Sequence, residues 1–183
     1  MLIIAPRQLF WQAYYKHGLP DRHSPLTFAV ADRDYVMVEQ LVRDGHDVNA
    51  TNQRDGYPML YATRNNDLEM IRLLHSLGAS LNGERNPLVW ADTGTMVELL
   101  IELGANPNQR DKYGCTPLHY NSFENPIDVI WAFVKHGADV NALSDNGTTP
   151  LWEAEAWHLS EEAIAVLKGY GAKLPKELEE RSS

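Results

Sequence analysis

The stretch Asp111-Lys112-Tyr113-Gly114-Cys115-Thr116-Pro117-Leu118-His119, with Gly137-Ala138-Asp139-Val140-Asn141-Ala142 downstream, decides the fold. Thr116 is a side chain that accepts from free backbone amides, and Pro117 suits the first position of a helix because its φ is fixed and it has no N–H to lose. Gly137 closes a second apolar helical run with the left-handed conformation that only glycine adopts without strain. Helix, turn, helix and glycine stop thus occupy a single short unit. Four more copies lie in register with it. They open at Ser24-Pro25-Leu26-Thr27-Phe28-Ala29, Tyr57-Pro58-Met59-Leu60-Tyr61-Ala62, Asn86-Pro87-Leu88-Val89-Trp90-Ala91 and Thr149-Pro150-Leu151-Trp152-Glu153-Ala154. Their prolines stand 33, 29, 30 and 33 residues apart, and the closing glycines, Gly45, Gly78, Gly104, Gly137 and Gly171, 33, 26, 33 and 34 apart.

Each second helix carries apolar residues at helical spacing, as in Leu68, Ile71, Leu74 and Leu77. A lone helix pair cannot bury such a face, so neighbouring units must stack into one elongated core. Ser24, Asn86, Thr116 and Thr149 are expected N-caps. Tyr57 has no capping oxygen in reach, so the first helix of the second unit is expected to start less well, at a cost of about 1 kcal/mol.

The pattern of a polar turn, Thr-Pro-Leu-His-x-Ala, a second helix and Gly-Ala-Asp-x-Asn resembles the ankyrin repeat. Gly45-His46-Asp47-Val48-Asn49, Gly78-Ala79-Ser80-Leu81-Asn82 and Gly104-Ala105-Asn106-Pro107-Asn108 are variants of the closing motif. The resemblance implies an all-α ankyrin-repeat solenoid of stacked helix-turn-helix units with short β-turn fingers. It divides the chain into an N-terminal capping helix (1–18), repeats at 19–51, 52–83, 84–110, 111–143 and 144–174, and a charged tail (175–183). Residues 6 to 17, with Leu9, Phe10, Ala13 and Tyr14 on one face, read as a half-repeat cap, with Phe10-Trp11 as an alternative docking surface. Leu174-Pro175 is expected to stop the pattern, and the tail to fray.

The third unit departs from its neighbours. Only 9 residues separate Gly78 from Pro87, and 17 separate Pro87 from Gly104, so the finger is short and almost a turn of the first helix is lost around Trp90-Ala91-Asp92-Thr93-Gly94. A degenerate repeat and a notch that receives part of a partner both fit this shortening.

Composition sets the outer bounds. The chain of 183 residues is 44% hydrophobic, enough to fold as one stack, and its net charge of -9 disfavours phosphate-bearing partners and favours a basic one. The apolar run Met1–Ala5 is too short to span a bilayer. A single cysteine, Cys115, forms no internal disulfide. These features lead us to expect a soluble cytoplasmic protein, monomeric when free, with no nucleic-acid or membrane partner. The seven histidines form no spaced metal set, there is no phosphate loop or nucleophile elbow, and Glu153 and Glu155 diverge on their helix. The expectation is therefore no catalytic residues, no metal and no cofactor.

Specificity then rests on positions that the ankyrin resemblance places on finger tips and on the exposed side of the first helices. The chief candidates for partner binding are Arg54, Arg64, Asp92, Lys112, Tyr113, Phe123, Glu124, Asp145, Asn146, Glu155 and Trp157. Gln53, Asn65 and Ala156 share those locations. Aromatic and arginine side chains dominate interfaces once desolvated, which makes Tyr113, Phe123 and Trp157 the expected anchors. Phe28, Tyr61, Trp90 and Tyr120, at equivalent positions of successive units, read as a stacked core ladder more than as a binding stripe. Trp131 falls on the outer helices, where an exposed indole suggests a second contact or self-association. An acidic rim around Trp152 and Trp157 in the fifth unit fits a basic partner. The expected function is a non-enzymatic module that holds and inhibits a basic protein, as an immunity protein neutralises a bacterial toxin; a general adaptor for an enzyme or receptor is the alternative.

Overall fold

A computed structural model of the chain describes residues 24–51, 56–83, 85–121, 127–158 and 160–179. The expected cap at residues 6 to 17 lies outside the described residues. Among the described residues there are ten α-helices, one 3₁₀ helix and no strand. The first unit holds α1 (Pro25–Ala31) and α2 (Tyr35–Arg43), and the second α3 (Pro58–Arg64) and α4 (Leu68–Ser76). The third pairs a 3₁₀ helix (Pro87–Trp90) with α5 (Gly94–Glu102). The fourth holds α6 (Pro117–Asn121) and α7 (Ile127–Lys135), and the fifth α8 (Pro150–Ala156) and α9 (Glu161–Gly169), before α10 (Pro175–Glu179).

The helix boundaries follow from the local chemistry read above. Ser24, Asn86 and Thr149 accept from the amides of Thr27, Leu88 and Trp152, while Tyr57 makes no side-chain cap bond. The second helices start on Asp34, Asp67, Thr93 and Ser160, whose side chains accept from an amide in the first turn. All five end in the same way. The glycine takes a φ of 81° to 102°, and the next residue's N–H reaches back to the carbonyl five residues earlier, as in Ala105 to Leu100 and Ala138 to Phe133.

The first helices form one row, α1 to α3 to the 3₁₀ helix to α6 to α8, each packed on the next. Among the second helices, α7 packs on both α5 and α9. Between the two layers runs a continuous core that includes Leu26, Met59, Ile71, Leu74, Leu88, Leu100, Leu118, Ile130, Phe133 and Leu151, all within 1% of complete burial.

A second register runs along the turns. Asn49, Asn82, Asn108 and Asn141 each donate to the glycine carbonyl of the following unit (Gly78, Gly104, Gly137 and Gly171, at 3.2, 2.9, 2.9 and 3.0 Å). Each also accepts from an amide two residues beyond it, at 2.7 to 2.9 Å. One amide side chain thus clamps a donor and an acceptor of the next unit, which is the physical reason for the terminal Asn of the Gly-Ala-Asp-x-Asn motif. Asn108→Ala is expected to cost about 1–2 kcal/mol, two exposed hydrogen bonds at their net value. Urea unfolding of that variant beside Asn108→Asp, which keeps the acceptor, checks this; a loss below about 0.5 kcal/mol would show the clamp to be passive.

His119 makes the corresponding link inside the core. Its Nδ1 accepts from the backbone N–H of Thr116 (3.1 Å) and lies 2.9 Å from the Thr116 hydroxyl, so the ring proton sits on Nε2, 3.2 Å from the Thr148 carbonyl of the fifth unit. Burial holds the imidazole pKa below its ordinary value, against a smaller opposing effect of the Thr148 carbonyl. The unfolded chain therefore binds this proton more readily than the folded one. The contribution of His119 is complete above the unfolded histidine value near 6.5 and is lost as pH falls below it, by at most about 1.4 kcal/mol per pH unit. Thermal melts from pH 7.5 to 5 should show this decline, with a shallower one for His119→Gln; equal slopes, or an imidazole resonance titrating at or above 6.5, would refute it.

The third unit is shortened as its spacing implies, and its loose backbone groups are satisfied by the fourth. Asn121, fully buried, donates from Nδ2 to the Leu88 carbonyl at 2.9 Å. The Asp128 carboxylate accepts from the Gly94 N–H at 2.7 Å. At the C-terminal end Pro175 opens a further short helix, α10, because proline suits a first helical position, and the Glu177 carboxylate accepts from the Leu174 amide at 2.7 Å.

Candidate partner-binding surface

The third residue after the helix-opening proline is half-buried in four units and exposed in the third. Phe28, Tyr61 and Tyr120 are half-buried there and Trp90 is 46% exposed. The core takes Leu26, Met59, Leu88 and Leu118, one residue after the proline, and the aromatic ladder is split: Trp90 faces solvent while Tyr61 packs against the core. The row carries one aromatic residue per unit across four units, exposed at Trp90.

Cationic and acidic groups border this row. The Arg64 guanidinium lies over the Trp90 ring, 4.5 Å from its centroid, an arrangement that holds the arginine against the aromatic face. Asp92 is exposed two residues after Trp90. The Tyr120 hydroxyl donates to the Asp111 carboxylate at 2.5 Å, and burial, with this bond as the next cause, raises the phenol pKa far above its ordinary value. Tyr57 is buried at the base of the second unit, donates to the Arg85 carbonyl at 2.9 Å, and is pushed up to about 12 by desolvation.

The fingers of the fourth and fifth units form a second cluster. The Asp145 amide donates to the Tyr113 carbonyl at 2.9 Å, and Arg110 pairs with the Asp145 carboxylate at 3.4 Å. Lys112 stands 5.0 Å above the Tyr113 ring, and Tyr113 is 54% exposed. Asn146 is exposed in the same turn. At the end of α8, Trp157 is 62% exposed and donates from its indole to Glu153 at 3.2 Å, while Glu155 is held in an ion pair with Lys168 at 2.8 Å.

Eight of the expected partner-binding residues are described and fall into three groups: Arg64 with Asp92, Lys112 and Tyr113 with Asp145 and Asn146, and Glu155 with Trp157. Arg54, Phe123 and Glu124 lie outside the described residues. The repeated aromatic at a fixed offset from each proline was read as a core ladder more than as a binding stripe, and the exposure of Trp90 favours the second reading in the third unit. A shallow groove of about 500 Å³ beside Trp152, lined also by Glu155, Ala156, Leu174 and Pro175, adjoins the surface that the sequence marked around Trp152 and Trp157. Trp152 is 42% exposed there, not core.

Among the described residues no group of three or more His, Cys, Asp or Glu could hold a metal ion, and no helix is long and apolar enough to cross a membrane. Burial and the neighbouring Asp111 push the Cys115 thiol pKa up, which disfavours the thiolate.

Comparison with known proteins agrees with this architecture. The family model described as ankyrin repeats, in three copies, matches residues 26–111 and 91–177. The chain belongs to the ankyrin repeat family. This ankyrin chain is 34% identical over 148 residues to an ankyrin repeat protein of fowlpox virus, an alignment covering 72% of the chain and 43% of the relative. It is 30% identical over 161 residues to the nuclear factor NF-kappa-B p105 subunit of Gallus gallus (81% of the chain, 16% of the relative). It is 26% identical over 155 residues to the ankyrin repeat protein nuc-2 of Neurospora crassa (80% and 14%). The ankyrin chain thus spans less than half the length of each of these relatives. Ankyrin repeats mark a protein–protein interaction module, and that coarse function applies to this chain.

Proposed function

We propose that the chain is a non-enzymatic binding module that takes its protein partner on the aromatic first-helix row and the adjoining fingers. The observation that carries this reading is the exposed Trp90 with the Arg64 guanidinium 4.5 Å over its ring and the exposed Asp92 two residues on, together with the exposed Tyr113 and Trp157 of the fourth and fifth units. Exposed aromatic and arginine side chains are the composition of an interface centre, and a folding core does not require them. The finer form of the proposal is an inhibitor of a basic protein, such as an immunity protein covering a toxin's active site. It rests on the net charge of -9, since complementary charge speeds encounter and suppresses acidic competitors. The greater length of the relatives favours a second reading, a repeat array that tethers further domains.

Co-purification of the full chain with mass spectrometry, in parallel with Trp90→Ala and Arg64→Ala variants of unchanged melting temperature, tests the proposal. The partner captured by the wild type should be lost from both variants, and its own activity should fall when the chain is added. Retention of the partner by both variants would move the site off the row.

A further inference from the structure

The stacking of units leaves one face open at the C-terminal end of the first-helix row. In the inner units the residues two and five positions after the helix-opening proline are covered: Thr27, Leu60 and His119 at the first position, and Val30 and Thr63 at the second, are buried. His119 shows what covers them, since its Nε2 lies 3.2 Å from the Thr148 carbonyl of the next unit. In α8 the same two positions are Trp152, which is exposed, and Glu155, which is half-buried. With Ala156, Leu174, Pro175 and Lys176 they line the groove of about 500 Å³, whose surface is mainly apolar.

A further unit held like the others does not fit this face. The clamp residues Asn49, Asn82, Asn108 and Asn141 each stand four residues after a closing glycine, and Pro175 occupies that position after Gly171. Proline has no side-chain donor or acceptor, so the two bonds that register each unit on the next cannot form there. The groove is instead complementary to a second copy of itself. Trp152 and Ala156 lie one helical turn apart on one face, a large side chain beside a small one. Glu155, paired with Lys168 at 2.8 Å, stands on the α8 wall, and Lys176 on the α10 wall. A two-fold axis sets each member of such a pair opposite the other member in the second protomer, so one patch serves both sides of the contact.

We propose that the chain forms a two-fold dimer through this end of the stack, each Trp152 seated beside Ala156 in the groove of the other protomer, with Glu155 opposite Lys176. The contact continues the row of first helices and lies two units away from the Arg64–Trp90 surface, so it stands independently of the partner site proposed above. Only the end of one unit takes part, which places the contact among the small interfaces, with an expected dissociation constant of roughly 1–100 µM. The free monomer expected from the sequence is then the low-concentration form.

Sedimentation velocity of the full chain from about 1 to about 300 µM tests this, at about 0.15 M salt to screen the repulsion between two chains of net charge -9. The weight-average mass should rise from the monomer value toward twice that value. Trp152→Glu of unchanged melting temperature should weaken association at least about thirtyfold, the loss of an interface anchor. Ala156→Trp, which fills the seat, should do the same, while Trp131→Ala, on the outer helices, should leave association unchanged. Trp90→Ala, expected to lose the captured partner, should dimerise like the wild type, so the failure of one proposal is distinguishable from the failure of the other. A wild-type chain monomeric throughout, a dimer undiminished in Trp152→Glu, or a dimer lost in Trp131→Ala would overturn the inference. So would a mass that climbs past the dimer, the open series that a head-to-tail contact produces.

Discussion

Phe133→Ala is expected to lower stability by about 4 kcal/mol, a fall of roughly 8–16 °C in melting temperature for a chain of this size. Phe133 is the largest fully buried side chain, on α7, the helix that packs against α5 on one side and α9 on the other. Truncation leaves a cavity that short, glycine-terminated helices cannot close without breaking the turn clamps of Asn108 and Asn141. In a repeat stack each unit contacts mainly its neighbours, so the loss falls on the interfaces of the fourth unit with the third and fifth. Amides of α7 and α9 should therefore exchange first, with those of α2 and α4 protected longer. Urea unfolding followed by hydrogen exchange measures both. Trp131→Ala, two residues earlier and 45% exposed, is the control: it removes only the edge-on contact with Tyr170 at 5.5 Å, worth roughly 0.5–1.5 kcal/mol. A Phe133→Ala loss below about 2 kcal/mol, or uniform exchange along the stack, would count against a core organised unit by unit.

Phe133 and its equivalents were legible because the second helices are long enough for the 3.6-residue period to declare a buried face. The caps, the glycine stops and the five-unit register were legible for a related reason, as each depends on one or two adjacent residues and recurs at fixed intervals. The first helices are different. They run for only four to seven residues, and a single turn does not separate an outward aromatic from an inward one. Phe28, Tyr61, Trp90 and Tyr120 therefore read as one ladder, and only the structure separates the exposed Trp90 from the three half-buried rings. Pairings across the repeat were hidden for another reason. Glu155 with Lys168 and Arg64 over Trp90 join residues that lie far apart in sequence, and nothing in the local pattern of either partner announces the other.

The shortened third unit puts this difference to a direct test, because its spacing announced a defect and the structure supplies the repair. Gly94 opens α5 at the point where a normal unit would still be completing its turn, and its N–H donates to the Asp128 carboxylate at the start of α7. A β-carbon at position 94 would lie 2.7 Å from the Asp128 carbonyl oxygen and 3.1 Å from its carbonyl carbon, both backbone atoms that side-chain rotation cannot move. Gly94→Ala must therefore push α5 and α7 apart along a broad helix–helix contact. Overpacking of this kind costs about 1–3 kcal/mol, while alanine's better helix propensity returns less than about 1, so a net loss of about 2 kcal/mol is expected. Asp128→Ala removes the carboxylate and leaves the carbonyl in place, so it should lose only the hydrogen bond to the Gly94 amide, about 1–2 kcal/mol. Adding Asp128→Ala to Gly94→Ala should therefore not relieve the steric cost, and the double variant should be at least as unstable as Gly94→Ala alone. Chemical unfolding of the three variants decides it. A Gly94→Ala protein as stable as the wild type would mean that the third and fourth units are free to separate, and that the shortening is slack in the stack rather than a closely fitted joint.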